Sequence, residues 1–421
     1  MELLYKVEIN KILEELGKEL DISKKEYESA VKSYEAVGDW LCRDTSDLRF
    51  YNPKILPQGS FMLGTVVKPI CEEDDIDVDL VCKLERKPDS WTQKDLKDKV
   101  GDRLKADGNY DRMIKKHKNG EDYEEGGRRC WTLKYSDGAG YHMDILPSFA
   151  DENLTVLMEK AFAIGSDLNT DELAIKITDK EMDNYSTDNN VDNWLKSNPF
   201  GYAKWFLDKA TIDVRKLIML SESVDPIRAY EKEKLPLQRV VQLLKRHRDI
   251  MFSSDEYDSE NKPISIIITT LASRAYDKSD NIIDAYTNIV RRMRALIEER
   301  VNPYTGQIEK WVPNPVNSEE NFADKWGEVK QKEDYFYLWL DKLENDLGIL
   351  RDNQGKGLQF LNESMSNIYG EFVTNKAFAN YGNISTELRE DGKRKMAKGT
   401  GVLGTIGTNI PKHNFEGYNA E

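Results

Sequence analysis

Three aspartates alternate with apolar residues in Asp75-Ile76-Asp77-Val78-Asp79-Leu80-Val81. A strand has a side-chain period of two, so the carboxylates share one face and Ile76, Val78 and Leu80 the other. Like charges side by side on a strand repel, and Asp is depleted from sheets. A divalent cation held by carboxylate oxygens offsets that cost. Asp144, in Tyr141-His142-Met143-Asp144-Ile145-Leu146-Pro147, again alternates with apolar neighbours and is placed to join the group. Such carboxylates could hold two Mg²⁺ ions, with Mn²⁺ as an alternative. One ion would lower the pKa of an attacking hydroxyl, and the other would neutralise a triphosphate and its leaving pyrophosphate. Asp77 and Asp79 are the assigned bridging ligands, because Leu80-Val81-Cys82 continues as a core strand while Asp75 sits nearer a polar loop. Asp144 completes the hydroxyl-side site or accepts its proton.

The phosphates need donors. Gly59-Ser60 sits in a tight turn that opens an apolar stretch, Phe61-Met62-Leu63-Gly64-Thr65, and its N–H groups and the Ser60 hydroxyl suit β- and γ-phosphates. Gln58 is placed to contact the nucleotide. Lys245, in Lys245-Arg246-His247-Arg248, could reach the triphosphate from a later helix as a point charge. Alone, a Gly-Ser dipeptide carries almost no weight. A DxDxD strand alone is more often a solvated edge or a calcium loop, and a cationic run more often a helix face. The order Gly-Ser, DxD, then an isolated strand Asp ahead of a helical region is what selects phosphoryl transfer. His142 and His247 read as structural, and the four cysteines as core.

These residues need elements to hold them. Residues 3–41 read as helix with a break at Asp21-Ile22-Ser23, where Ser23 and Glu26 match a capping box. Residues 90–110 read as helix, 114–127 as a charged hairpin loop, 129–135 and 141–147 as a hairpin, and 172–178 as a further strand. From Val191 to about residue 380 the pattern turns helical. Pro236 opens an amphipathic helix, residues 265–271 read as a buried helix despite their β-branching, and 282–300 and 333–379 as further helices. The expected fold class is α+β: a catalytic lobe over 1–195, a helical lobe over 196–381, a cleft between them, and a flexible Gly-rich tail over 382–421.

The chain of 421 residues suffices for two lobes, with 39% hydrophobic and 33% charged residues. A net charge of −15 argues against coating long nucleic acid, which needs a basic footprint, but not against binding a nucleoside triphosphate. No run of about 18 apolar residues suggests a membrane span, and no signal-peptide pattern opens the chain. Cysteines and histidines lack zinc-ligand spacing, so free thiols in a reducing cytoplasm are expected.

Longer strings carry a resemblance. PQGSFMLGTVVKP, RRCWTLKY, YHMDILPSF, SNPFGYAKWF, LQRVVQLLKRHRDIMF, PISIIITTLA and NPVNSEENFADKW, spread over residues 55–330, resemble the bacterial CD-NTases of CBASS anti-phage signalling. These belong to the polymerase-β-like nucleotidyltransferases, in the branch of oligoadenylate synthase and cyclic GMP-AMP synthase. The resemblance implies an enzyme that joins ATP, GTP or other NTPs with Mg²⁺ into a cyclic di- or trinucleotide second messenger for a downstream effector. Carried over, the catalytic and metal residues are Asp77, Asp79 and Asp144. The nucleotide contacts are Gln58, Gly59, Ser60, Lys245 and Ser265. In some of these systems a ubiquitin-transfer-like enzyme conjugates the C terminus, and the ending Tyr418-Asn419-Ala420-Glu421 is compatible with that. The alternatives are a linear, oligoadenylate-type or terminal nucleotidyltransferase and a catalytically silent nucleotide-binding partner.

Overall fold

A computed structural model describes residues 3–71, 75–114, 116–119, 122–135, 140–163, 165–212, 230, 233–302, 306–352, 355–391, 393, 395–396, 403–404 and 408–409. Two helices lead. Helix α1 (Leu3–Glu19) fully buries Ile9, Ile12, Leu13 and Leu16, which share one face at helical spacing. Ser23 then caps α2 (Lys24–Cys42): its hydroxyl accepts from the Glu26 N–H at 3.2 Å while the Glu26 carboxylate accepts from the Ser23 N–H at 2.6 Å. Such a box satisfies two orphan donors and is worth about 1 kcal/mol. The break sends the two helices into different cores. The α1 residues pack with Leu237, Val240 and Leu244 of the later helices, whereas Tyr34, Val37 and Leu41 of α2 pack with the sheet.

The main sheet contains β1 (Lys54–Pro57), β2 (Ile76–Leu84), β5 (Trp131–Tyr135), β6 (Tyr141–Phe149), β7 (Ile175–Ile177) and β8 (Leu195–Ser197), in the order β1-β2-β6-β7-β8 with β5 also on β6. β3 (Lys116–Asn119) and β4 (Asp122–Glu125) form a separate hairpin. β2 and β6 run parallel in register from Ile76↔Tyr141 to Leu84↔Phe149. Parallel neighbours need a long crossover, and here it carries α4 (Gln93–Lys105) and α5 (Gly108–Met113). β5 pairs the first half of β6 and β7 its end, so one edge of β6 serves two strands. Alternation divides β2: Ile76, Val78, Leu80, Cys82 and Leu84 join Leu96, Val100 and Leu104 of α4 in one core. Asp77, Asp79 and Val81 point the other way, where Val81 meets the core of the helical lobe.

The helical lobe is built around the Pro236–Met251 helix, buried at every position from Pro236 to Arg248. A helix apolar all round is the usual core helix, but this one carries seven polar residues over that span, and each finds a partner. Four of them bond to main-chain carbonyls of the 63–68 segment: Gln238 to Leu63 at 2.8 Å, Lys245 to Thr65 at 3.1 Å, Gln242 to Val66 at 2.7 Å and Arg246 to Lys68 at 2.9 Å. Around it lie helices α7 (Pro199–Ala210), Ser265–Ala275, Ile282–Met293, Lys330–Asp352, Leu358–Tyr369 and Glu371–Glu390.

Four expectations need correction. The sheet continues past residue 195, since β8 pairs with β7. The helix expected over 282–300 stops at Met293, because Glu298–Val301 forms strand β9 against β10 (Ile308–Trp311), tied by Lys310–Glu299 at 2.5 Å. The lobe is therefore not wholly helical, and a second hairpin pairs β11 (Pro313–Asn314) with β12 (Asn317–Asn321). The expected tail begins inside a helix. Docking on α1, through Asn380 to Glu19 at 2.9 Å and Tyr381 to Glu8 at 3.0 Å, carries the last helix on to Glu390. Residues 418–421, on which the conjugation reading rests, lie outside the described residues.

Candidate active site

The strand register decides which acids meet. Asp77 stands beside His142 and Asp79 beside Asp144, all on the sheet face turned toward the helical lobe. Ligand atoms of Asp77, His142 and Asp144 lie within 4.8 Å of one another, a set that could hold a metal ion. Asp77 is exposed and its Oδ1 lies 3.3 Å from His142 Nε2, a hydrogen bond that raises the imidazole pKa. The Thr132 hydroxyl of β5 donates to Asp144 Oδ1 and fixes that carboxylate. Asp79 lies deeper. Burial, then the charges of Asp77 and Asp144, push its pKa up to about 7.

Gly59 explains how Asp79 fits. It opens the one-turn helix α3 (Gly59–Leu63) at φ 58°, in the left-handed region, and a Cβ there would collide with Asp79 Oδ2. The Gln58 N–H donates to the Asp79 carbonyl at 2.9 Å, so turn and strand are locked in the main chain as well. Asp75 is accounted for separately: its carboxylate sits 3.5 Å from Lys134 Nζ.

A cleft of about 1380 Å³ joins these residues to the helical lobe, which suffices for more than one nucleotide-sized ligand. Gln58, Gly59, Ser60, Asp77, Asp79, Lys245 and Ser265 all line it; Asp144 reaches the wall through Thr132, which does. Lys245 is buried, and burial, then Arg248, pulls its pKa down to about 8. Its ammonium is engaged with the Thr65 carbonyl rather than free in the cleft. The rest of the cationic run is also committed. Arg248 donates to Ser265 Oγ at 2.9 Å and to the Pro263 carbonyl at 3.0 Å. His247 lies between Asp346 Oδ2 and the Trp339 indole N–H, each at 3.0 Å. His142 is the site residue that the sequence reading passed over, although its place two residues before Asp144 on an alternating strand put it on the same face.

Together these are the features of a nucleotidyltransferase: a two-lobed α+β fold with clustered carboxylates beside a glycine turn on one cleft. Residues 53–148 match the family described as cyclic GMP-AMP synthase DncV-like, nucleotidyltransferase domain. A c-di-GMP synthase of Roseivirga ehrenbergii is 26% identical over 407 residues, covering 96% of either chain. The cyclic dinucleotide synthase CdnG of Bradyrhizobium diazoefficiens is 23% identical over 384 residues, covering 88% of this chain and 82% of the relative. The solved structure of that CD-NTase CdnG in complex with GTP superposes with a TM-score of 0.61 at 21% identity, over 89% of this chain and 99% of the other. Residues 53–148 thus match a nucleotidyltransferase domain, and over most of its length the chain is similar to bacterial cyclic dinucleotide synthases. Among the described residues no helix is long and apolar enough to cross a membrane.

Proposed function

We propose that this enzyme joins nucleoside triphosphates into a cyclic di- or trinucleotide that acts, in the cytoplasm, as a second messenger to an effector of anti-phage defence. The observation that carries the chemistry is the meeting of Asp77, His142 and Asp144 on parallel neighbours, with Asp79, half-buried on the same face, raised in pKa to about 7. Carboxylates brought together at that cost fit a hard divalent cation, and the oxygen-rich donor set suits Mg²⁺ or Mn²⁺. Asp77, Asp79 and Asp144 would be the ligands, with His142 holding Asp77 in place. Bound there, two such ions supply the acidity at an attacking hydroxyl and the charge neutralisation at the leaving pyrophosphate.

The chain's own residues do the rest. Thr132 orients Asp144, and Gly59 lets the backbone approach Asp79 without a side chain between them. Ser60 and Gln58 would present polar groups to phosphates at the mouth of the turn, with Ser265 on the other lobe's wall and Lys245, held by the Thr65 carbonyl, adding its charge beside them. The ring-shaped product is supported by the relatives, both of which are cyclic dinucleotide synthases by name.

The test is incubation with labelled ATP, GTP or both and Mg²⁺ or Mn²⁺. The expected result is pyrophosphate release and a phosphatase-resistant product, with Asp144→Asn slower by on the order of 10³-fold. A product that phosphatase degrades would be linear and would overturn the ring.

A further inference from the structure

The far wall of the cleft includes the β11–β12 hairpin, through Asn314, Glu320 and Phe322. Asn314 is 5% exposed, and both ends of its amide are used. Its Oδ1 accepts from the Val316 N–H at 3.0 Å, and its Nδ2 donates to Glu320 Oε2 at 2.7 Å. A buried, pre-set amide therefore holds an exposed carboxylate at the cleft wall. The other acids of the helical lobe that line the cleft are differently placed. Asp249 is paired with Arg248 at 2.8 Å and Lys262 at 3.8 Å. Asp258 accepts from the Glu260 N–H and the Asn261 amide of its own turn, and Asp255 stands on an exposed turn. Glu320 is anchored by a neutral group, and among the described residues no cation is paired with it. A carboxylate has about four lone-pair sites, so one bond from Asn314 leaves capacity on both oxygens.

We propose that Glu320, positioned by Asn314, selects guanine over adenine in this cleft; this rests on the nucleotidyltransferase reading above. Guanine carries two adjacent donors on its Watson–Crick edge, N1–H and the N2 amine, which match the two oxygens of a carboxylate. Adenine offers one donor beside the N1 lone pair, which a carboxylate repels. Phe322, just past the strand, also lines the cleft, donates its N–H to the Val312 carbonyl at 2.9 Å, and meets Tyr202 edge-on at 6.1 Å. That aromatic pair gives a base plane something to lie against while its edge reaches Glu320.

Binding of non-cleavable GTP and ATP analogues to the full chain, in Mg²⁺, tests this independently of turnover. Wild type is expected to favour the GTP analogue. Glu320→Gln, whose amide suits adenine N1 and N6, is expected to shift the GTP-to-ATP affinity ratio by about tenfold or more towards ATP. Asn314→Ala, which frees the carboxylate without removing it, should shift the ratio in the same direction by less. A wild type that binds the ATP analogue as tightly as the GTP analogue overturns the proposal. So does a Glu320→Gln ratio within about twofold of wild type, a difference too small for a lost bidentate contact. Absence of pyrophosphate release with any nucleotide would instead sink the catalytic reading and leave this binding comparison standing.

Discussion

Two clusters of charge in this chain are treated in opposite ways. At the junction of α1 with the Pro236–Met251 helix, Asp21 accepts from Lys234 at 2.6 Å, Arg239 at 2.8 Å and the Gln242 amide at 2.9 Å, and Arg239 also holds the Gly17 carbonyl at 2.6 Å. Every group there is answered by another protein group. Across the cleft, Asp77, Asp79 and Asp144 are crowded; among the described residues the His142 imidazole bonds Asp77 and the Thr132 hydroxyl bonds Asp144, while the Lys245 ammonium is turned to a backbone carbonyl. A charge network completed within the protein holds lobes together. One left incomplete, with burial and its neighbours raising the pKa of Asp79, fits the cationic ligand proposed above.

The contrast breaks most sharply at single acids. Asp79→Asn should lower pyrophosphate release by on the order of 10³-fold while leaving thermal stability unchanged or raised, because it removes like-charge repulsion. Asp21→Ala should do the reverse. It removes the carboxylate that balances the enclosed Arg239 and Lys234 charges, at a cost of about 3–5 kcal/mol in denaturant unfolding, with turnover per folded molecule retained. If Asp79→Asn unfolds the protein, or Asp21→Ala silences a folded one, the division between structural and functional charge is wrong.

A smaller effect is expected where the two lobes' requirements meet in the backbone. Gly59→Ala puts a Cβ onto Asp79 Oδ2 and a side chain at φ 58°. Activity should fall by about 10²-fold through displacement of the carboxylate, with a stability loss of roughly 1 kcal/mol or more. Equal kcat/KM for the variant and wild type would show that Asp79 need not lie against the turn.

The smallest effect concerns His247, whose pKa burial lowers despite Asp346. The folded chain excludes a proton that the unfolded chain accepts near its ordinary value of about 6.5. Its contribution is therefore complete at neutral pH and falls as pH drops below that value, by at most about 1.4 kcal/mol per pH unit. Asp346, whose own pKa is lowered by His247 and Lys342 against its burial, adds a loss only at more acidic pH, in the carboxylate range. Unfolding midpoints between pH 7 and 5 should slope for wild type and flatten in His247→Gln. Parallel slopes would discount the imidazole.

Much of the site was legible because a strand's period is short and local. Asp77, Asp79 and Asp144 announce their face through apolar neighbours at every second residue. His142 was legible by the same rule and was passed over for want of a partner, which only the pairing of β2 with β6 supplies. Register between strands so far apart in sequence is a tertiary fact. Lys245 shows the opposite limit: its type and place suggested a cleft cation, and the lines of sequence could not reveal that Thr65 holds it. The β11–β12 hairpin escaped because Asn317–Asn321 is polar and short, stabilised by Asn321 bonding across to the Val312 N–H at 2.9 Å rather than by an apolar pattern.

Four rungs from the Pro236–Met251 helix to the 63–68 segment end on carbonyl oxygens, and one longer contact runs from Lys245 to Thr65 Oγ1 at 3.5 Å. A carbonyl is common to all amino acids, so the grip depends little on the segment's side chains except at Gly64, where a Cβ would meet Gln238 Nε2 and φ is 67°. Mutational freedom is thus distributed unequally across this seam. Gln238, Gln242, Lys245 and Arg246 are constrained by length and hydrogen-bonding capacity, whereas the half-buried Val67 and Lys68 can exchange side chains, and so remodel the wall of the cleft, without loosening the lobes.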